Sequence, residues 1–296
     1  MNVDVLNQWI LLGTIEPNEL EFARDTLHHA SQLVGAVGRS LNPKSADDEF
    51  AAMEWNTGIN GLLGHWNQVG NDLFAVALRF TDLSILIINK EGIKYDYSLK
   101  GRTLEEALEW LKSRLKEFTP ETDKITLDSP FADELPEHPV TYDQAFEYRD
   151  TNHFKEVARF YNNANLLLRQ LANDIDGASA VKCWPHHFDI ATLLIITKDD
   201  KGKITRSIGI GMQPGDANYY YPYFYVTPYP YPKKDNLQLV ELEGNGKWHT
   251  QGWFGAVLET SEIIKHKTKQ TQIAATLGFL GSALTGASYY VRVKQS

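Results

Sequence analysis

The sequence predicts an α+β protein built from largely antiparallel sheets with packed helices, and three observations carry that expectation. Stretches with apolar residues three and four apart stand beside runs rich in apolar and β-branched residues. The runs come in groups joined by connections too short for the crossover that parallel strands require. The order helix, meander, helix also occurs twice, which points to two similarly organised halves, 1–125 and 126–296, although no residue-level repeat links them.

In the first half, Leu20, Ala23, Leu27, Ala30, Leu33, Val34, Val37 and Leu41 mark one face of a helix that starts near Glu19. Asn42-Pro43 ends it, because a residue before proline is pushed out of helical space. His28 and His29 are neighbours on this helix, so at most one of them is expected to face the core. Strands follow over 74–80, 84–90 and 93–99. Thr103 and Glu106 have capping-box spacing and open a helix over 104–118. Residues 119–141, with Pro120, Pro130, Pro136 and Pro139, read as a linker that contains one strand candidate, 124–128.

The second half opens with a helix over 154–175, followed by strand candidates at 186–197, 204–213, 219–231 and 248–259. Asp199 to Gly202 supplies a hairpin turn, and a long helix from about Ser261 closes the chain. Between 219 and 232, Tyr219, Tyr221, Tyr223, Tyr225, Tyr229 and Tyr231 hold odd positions and the prolines even ones, with Tyr220 the exception. In an extended chain this places the tyrosines on one face and removes donors along one edge, the pattern of an edge strand. The tyrosine face then either walls a cleft for planar ligands or covers a helix.

Composition excludes some functions. The chain has 296 residues, 43% of them hydrophobic, and a formal net charge of -9, which opposes phosphate backbones and anionic membranes. KHKTK at 265–269 is too short a basic cluster to reverse that, so nucleic-acid and membrane partners are not expected. Cys183 is the single cysteine, which rules out an intrachain disulfide or a cysteine-based zinc knuckle and fits a cytoplasmic setting. The amino-terminal residues lack the basic and apolar regions of a secretory signal. Residues 273–291 carry no charge but are diluted by Gly, Ser and Thr, and are expected to form a buried or interface helix.

Chemistry-bearing residues concentrate in WPHHFD (184–189), QPGDANYYYPYFY (213–225) and WHTQGW (248–253). If 186–196 is extended, His187 and Asp189 share one face and His186 takes the other; if Pro185 breaks the strand, the two histidines converge. The expected site is a small-molecule cleft lined by Trp184, His186, Asp189, Asp216, Tyr223, Tyr225, His249 and Trp253. An alternative is a metal-assisted hydrolase in which His186, Asp189 and His249 hold a divalent ion that activates water. Asp216 also suits a local role, capping N–H groups after the Pro-Gly turn. A third reading is a non-catalytic assembly protein whose Gly- and Ala-rich last helix packs on a second copy. No nucleophile elbow, phosphate loop or dinucleotide fingerprint is present, and no catalytic residue is assigned.

WPHHFDIA, GMQPGDANYYYPYFYVTPYP, WHTQGWFGAVL and the helix TLHHASQLVGAVGRSLNP together resemble a bacterial family of uncharacterised proteins. The resemblance implies no activity, substrate or cofactor. It implies that serine can replace His187 while His186 and Asp189 keep their counterparts, which moves the weight of a ligand role to His186, Asp189 and His249.

Overall fold

A computed structural model describes residues 3–44, 48–233, 237 and 239–292. The chain folds into two compact units, and neither is contiguous. The first is Glu19–Ala158 with Lys182–Phe188; the second is Met1–Asn18, Arg159–Val181 and Asp189–Ser296. That division differs from a single cut at residue 125. A short helix, α1 (Val3–Gln8), belongs to the second unit.

The first unit is organised around α2 (Glu21–Leu41), whose residues 23–38 are buried without a break. Such a helix has no solvent face, so adjacent positions can both be internal: His28 is 7% and His29 1% exposed, which corrects the expectation that only one would be. The sheet of this unit contains β1 (Glu54–Asn56), β2 (Gly61–Leu63), β3 (Asn67–Val69), β4 (Asp72–Arg79), β5 (Ser84–Asn89) and β6 (Gly92–Ser98). It is antiparallel, in the order β1-β2-β4-β5-β6, with β3 also on β4. The expected meander is β4-β5-β6; the three preceding strands are too short to show an alternation. Helix α3 (Leu104–Leu115) starts at the expected box, with Glu106 N–H donating to Thr103 Oγ1 (3.1 Å) and Thr103 N–H to Glu106 Oε2 (3.0 Å).

No strand forms over 124–128. Thr119 Oγ1 instead accepts from Glu121 N–H (3.2 Å) and opens a 3₁₀ turn, Pro120–Lys124. A short strand, β7 (Lys182–Cys183), returns the chain to the first unit, where Met53 and Cys183 exchange backbone hydrogen bonds of 2.8 and 2.7 Å.

Helix α4 (Thr151–Asp174) passes from the first unit into the second. There the Asn163 side chain accepts from the Ile10 amide (2.9 Å) and donates to its carbonyl (2.7 Å). The second sheet holds β8 (Ile190–Lys198), β9 (Ile204–Gln213), β10 (Tyr223–Tyr229), β11 (Lys247–His249) and β12 (Gly255–Glu259). Its antiparallel order is β11-β12-β10-β9-β8. Asp199 and Lys203 close the β8–β9 hairpin as expected.

β10 is not an edge strand: β9 flanks it on one side and β12 on the other. The prolines are tolerated because of where they stand. Even-numbered backbone groups of this segment face β12, as Pro222 shows by accepting from Thr260 N–H (2.9 Å). Pairing with β12 covers only Tyr223 to Val226. Pro228 therefore lacks its donor beyond the last β12 partner, where no ladder bond is lost.

One face of this sheet, carrying Ile210, Met212, Phe224, Val226 and Ala256, is buried, and α6 (Lys269–Arg292) packs on β9 and β10. The expected helix from Ser261 is broken: α5 (Thr260–Ile263) is one turn, and α6 begins only after Thr268 Oγ1 caps Thr271 N–H (3.2 Å). Gln272 anchors α6 internally, accepting from Trp9 Nε1 (3.2 Å) and Leu12 N–H (3.0 Å) and donating to Leu12 O (3.1 Å). Gly286 of α6 serves this unit. A Cβ at Gly286 would lie 2.7 Å from the Trp248 ring. No helix among the described residues is long and apolar enough to cross a membrane.

Candidate functional site

On the second sheet's opposite face the strand register sets Tyr225 of β10 beside Gly211 of β9, and Gly211 beside Ala191 of β8. Gly211 leaves a trough that the Tyr225 ring fills: a Cβ there would lie 2.7 Å from Tyr225 Cζ and 2.8 Å from Ala191 Cβ. The ring crosses that trough, and its hydroxyl donates to Asp189 Oδ2 at 2.5 Å.

Two residues along β10, the Tyr223 hydroxyl donates to Asp216 Oδ2 (2.6 Å). The other oxygen of Asp216 caps its own turn, accepting from Asn218 N–H (2.7 Å) and Tyr219 N–H (2.9 Å). The expected turn-capping role is thus present, and the same carboxylate fixes a ring. Burial first, then the Asp216 charge, pushes the Tyr223 phenol upward, so it remains a donor.

Tyr219 continues the row. His249 Nε2–H donates to the Gln251 carbonyl, which leaves Nδ1 to accept the Tyr219 hydroxyl (2.9 Å). Trp253 stacks on the His249 ring at 4.3 Å. Centroid spacings of 6.3, 4.9, 5.6 and 4.3 Å join Tyr225, Tyr223, Tyr219, His249 and Trp253 into one continuous row of rings.

WPHHF folds differently from the strand that its alternation allowed. It is a turn of the first unit, closed by Phe188 N–H on Trp184 O (2.7 Å), with Phe188 at φ 56. The turn docks on α2: Pro185 O accepts from His28 Nε2–H (2.9 Å) and Gln32 Nε2–H (2.6 Å), and Phe188 stacks on His28 at 4.9 Å and 7°. Gly35 makes room, since a Cβ there would sit 3.1 Å from Pro185. His186 stacks on Phe131 at 4.2 Å, with Nδ1 3.5 Å from Asp48 Oδ2, and burial lowers its pKa to about 4. His187 is exposed beside Glu134 (3.8 Å). Arg39 stands near, its Nε and Nη2 buried with no hydrogen-bond partner among the described residues.

Of the expected site residues, Asp189, Asp216, Tyr223, Tyr225, His249 and Trp253 belong to the second unit, while Trp184 and His186 belong to the first. The metal triad finds no support. Among the described residues no group of three or more His, Cys, Asp or Glu is placed to hold an ion, and both His249 nitrogens are already engaged. Sequence reasoning placed Tyr219 on the tyrosine face without giving it to the site, and it missed Gln213 and Gly211. The alternation Gly-Ile-Gly at 209–211 was the available signal, because two glycines on one strand face leave a trough for a neighbouring ring. Two clefts lie elsewhere, of about 430 Å³ beside Pro43, Trp66 and Pro120 and about 330 Å³ beside Asn245 and His266, and no expected residue lines either.

The sequence profile of a family of unknown function, DUF5996, matches residues 13–289. The chain belongs to this family. The DUF5996 match takes in the α2 helix, the WPHHF turn and the whole row of rings, and it brings no assigned activity. No curated protein and no solved structure matches the chain.

Proposed function

We propose that the protein binds a small organic molecule against the ring row of the second unit. The observation that carries this reading is the row itself: Tyr225, Tyr219, His249 and Trp253 are part-buried on one sheet face, and the hydroxyl ends of the tyrosines are fixed on Asp189, Asp216 and His249. Rings held in this way lose little further freedom when a ligand arrives, which keeps the ordering cost of binding low. Their faces offer apolar area, and the neighbouring carboxylates orient what lies on them. A cytoplasmic location fits a chain whose single thiol, Cys183, is buried.

The test uses the full chain and saturation-transfer NMR with indole, adenosine, glucose and choline. At least one probe is expected to receive transfer, and to lose it in Tyr219→Ala or Trp253→Ala protein that keeps its near-UV circular dichroism. Absence of transfer to every probe, or transfer unchanged in both variants, overturns the reading.

A further inference from the structure

A site of different chemistry lies in the first unit, in the cleft of about 430 Å³ lined by the end of α2, by β3 and by the turn that opens at Thr119. That volume falls within the range of ligand pockets. Trp66 forms one wall and is 45% exposed. So large a ring is ordinarily covered, yet among the described residues no ring stacks on this indole, no cation lies over it and no group accepts its N–H. The backbone that presents it is fixed on both sides. His65 Nε2–H donates to Glu49 O (2.8 Å), Asn67 Nδ2–H donates to His65 O (2.9 Å), and Asn67 pairs with Phe74 of β4. A ligand that meets the indole therefore has little of the protein left to order.

Amides supply most of the polar chemistry of the cleft. Asn67 is only 6% exposed, and because its Nδ2 is fixed on His65 O, its Oδ1 is an acceptor that no described group fills. Asn42 and Gln68 donate through long bonds of 3.4 Å, to Phe50 O and Gly70 O, and their side-chain oxygens are also unspent. Side chains of this kind both donate and accept. Glu121 is the one charged residue of the lining, and Lys124 pairs with it at 2.6 Å. The lining thus offers no cation to a phosphate or carboxylate and no unmatched carboxylate to an ammonium. A planar aromatic ligand would use Trp66 but leave the Asn67 acceptor unpaired. A pyranose ring satisfies both surfaces: its hydroxyls donate and accept at the edge, and its polarised C–H groups suit the negative face of an indole. Pro43 and Pro120 extend the apolar wall.

We infer that this cleft is a second binding site and that it takes a neutral saccharide, with the C–H face of one sugar ring on Trp66 and its hydroxyls on the amides of Asn42, Asn67 and Gln68. The inference uses no residue of the ring row.

The test uses the full chain labelled with ¹⁵N, in which the Trp66 indole N–H signal is the one that disappears in Trp66→Phe protein. Methyl glucoside, methyl galactoside, N-acetylglucosamine, cellobiose and maltose are titrated in turn. At least one of them is expected to shift that signal saturably, with a Kd of about 10 mM or tighter. Trp66→Ala should weaken the same sugar about tenfold or more, through loss of the stacking face. Gln68→Ala should weaken it less, and Trp253→Ala, in the ring row, should leave it unchanged. Trp66 and Gln68 are exposed, so both variants should fold, and near-UV circular dichroism checks that they do. The inference is overturned if no sugar moves the Trp66 signal, if indole moves it and the sugars do not, or if Trp66→Ala leaves the affinity as it was. A sugar lost in Trp253→Ala but kept in Trp66→Ala overturns it too, while supporting the ring-row reading.

Discussion

The Tyr225 hydroxyl reaches Asp189 from two strands away, at 2.5 Å, because the residue it passes over is glycine. Gly211→Ala places a methyl group 2.7 Å from the ring and 2.8 Å from Ala191, and neither neighbour can yield without moving a strand. A loss of about 1–3 kcal/mol is expected in urea unfolding, the range for overpacking. Tyr225→Phe breaks the bond alone and should cost about 1–2 kcal/mol. The double variant should lose less than the sum, since the alanine has already displaced the hydroxyl. Strict additivity would show that Gly211 does not act through Tyr225.

Histidines of the first unit make stability depend on pH. Burial, the largest cause in each case, lowers His28 to about 3 and His138 and His186 to about 4, and lowers His29 as well. In the unfolded chain each titrates near about 6.5. Below that pH the unfolded state takes up protons that the folded state refuses, so stability is fully present above about pH 6.5 and falls as the pH drops toward about 4. Buried Asp25, whose pKa is raised, works in the opposite sense at lower pH. Unfolding free energies measured between about pH 7.5 and about pH 4.5 should decline by up to about 1.4 kcal/mol per unit for each histidine involved. His28→Gln should flatten the slope, and a level profile in the parent protein contradicts the assignment.

Phe188 combines a left-handed backbone, φ 56, with a buried ring on His28. The packing holds a conformation that an aromatic residue rarely adopts. Phe188→Ala keeps the strain and loses the packing, with an expected cost of about 3–5 kcal/mol. Phe188→Gly loses as much packing but relieves the strain, so it should be the more stable of the two by up to about 1 kcal/mol, against the usual order of alanine over glycine. Melting temperatures in the usual order would show that the turn is unstrained.

Arg39 and Asp48 form a fourth test. Burial lowers the Arg39 pKa, and the Asp48 charge opposes that shift. Asp48→Asn or Arg39→Met alone removes one charge of the pair and should destabilise by about 3 kcal/mol or more. The pair of substitutions together should lie closer to the parent than either single one. Chemical denaturation of the four proteins measures this, and a double variant worse than both singles refutes the coupling.

Where local chemistry decides structure, the sequence was readable. The Thr103–Glu106 box and the bounds of β9, 204–213, are both set by neighbouring residues and both appear in the structure. Reading failed where distant packing decides. The prolines of β10 suggested an edge because their tolerance depends on where β12 stops, which β10 itself does not encode. WPHHFD alternates like a strand and leaves open a break at Pro185; Pro185 and a left-handed Phe188 do turn it, but the partners that decide between the two lie on α2, more than a hundred residues earlier. The same limit applies to the site: its rings were found by composition, but the trough beneath Tyr225 belongs to another strand.

The two units interleave along the chain, and this has a consequence for synthesis. The first unit lacks its last segment until residue 188 has been made, and the opening eighteen residues wait for partners that begin at Arg159. During translation α1 must therefore stay unpaired while most of the other unit is made, and no single stop codon releases one finished unit alone. Ribosome-bound chains should acquire protease resistance late, the first unit only after residue 188 has emerged and the second only with the last segment.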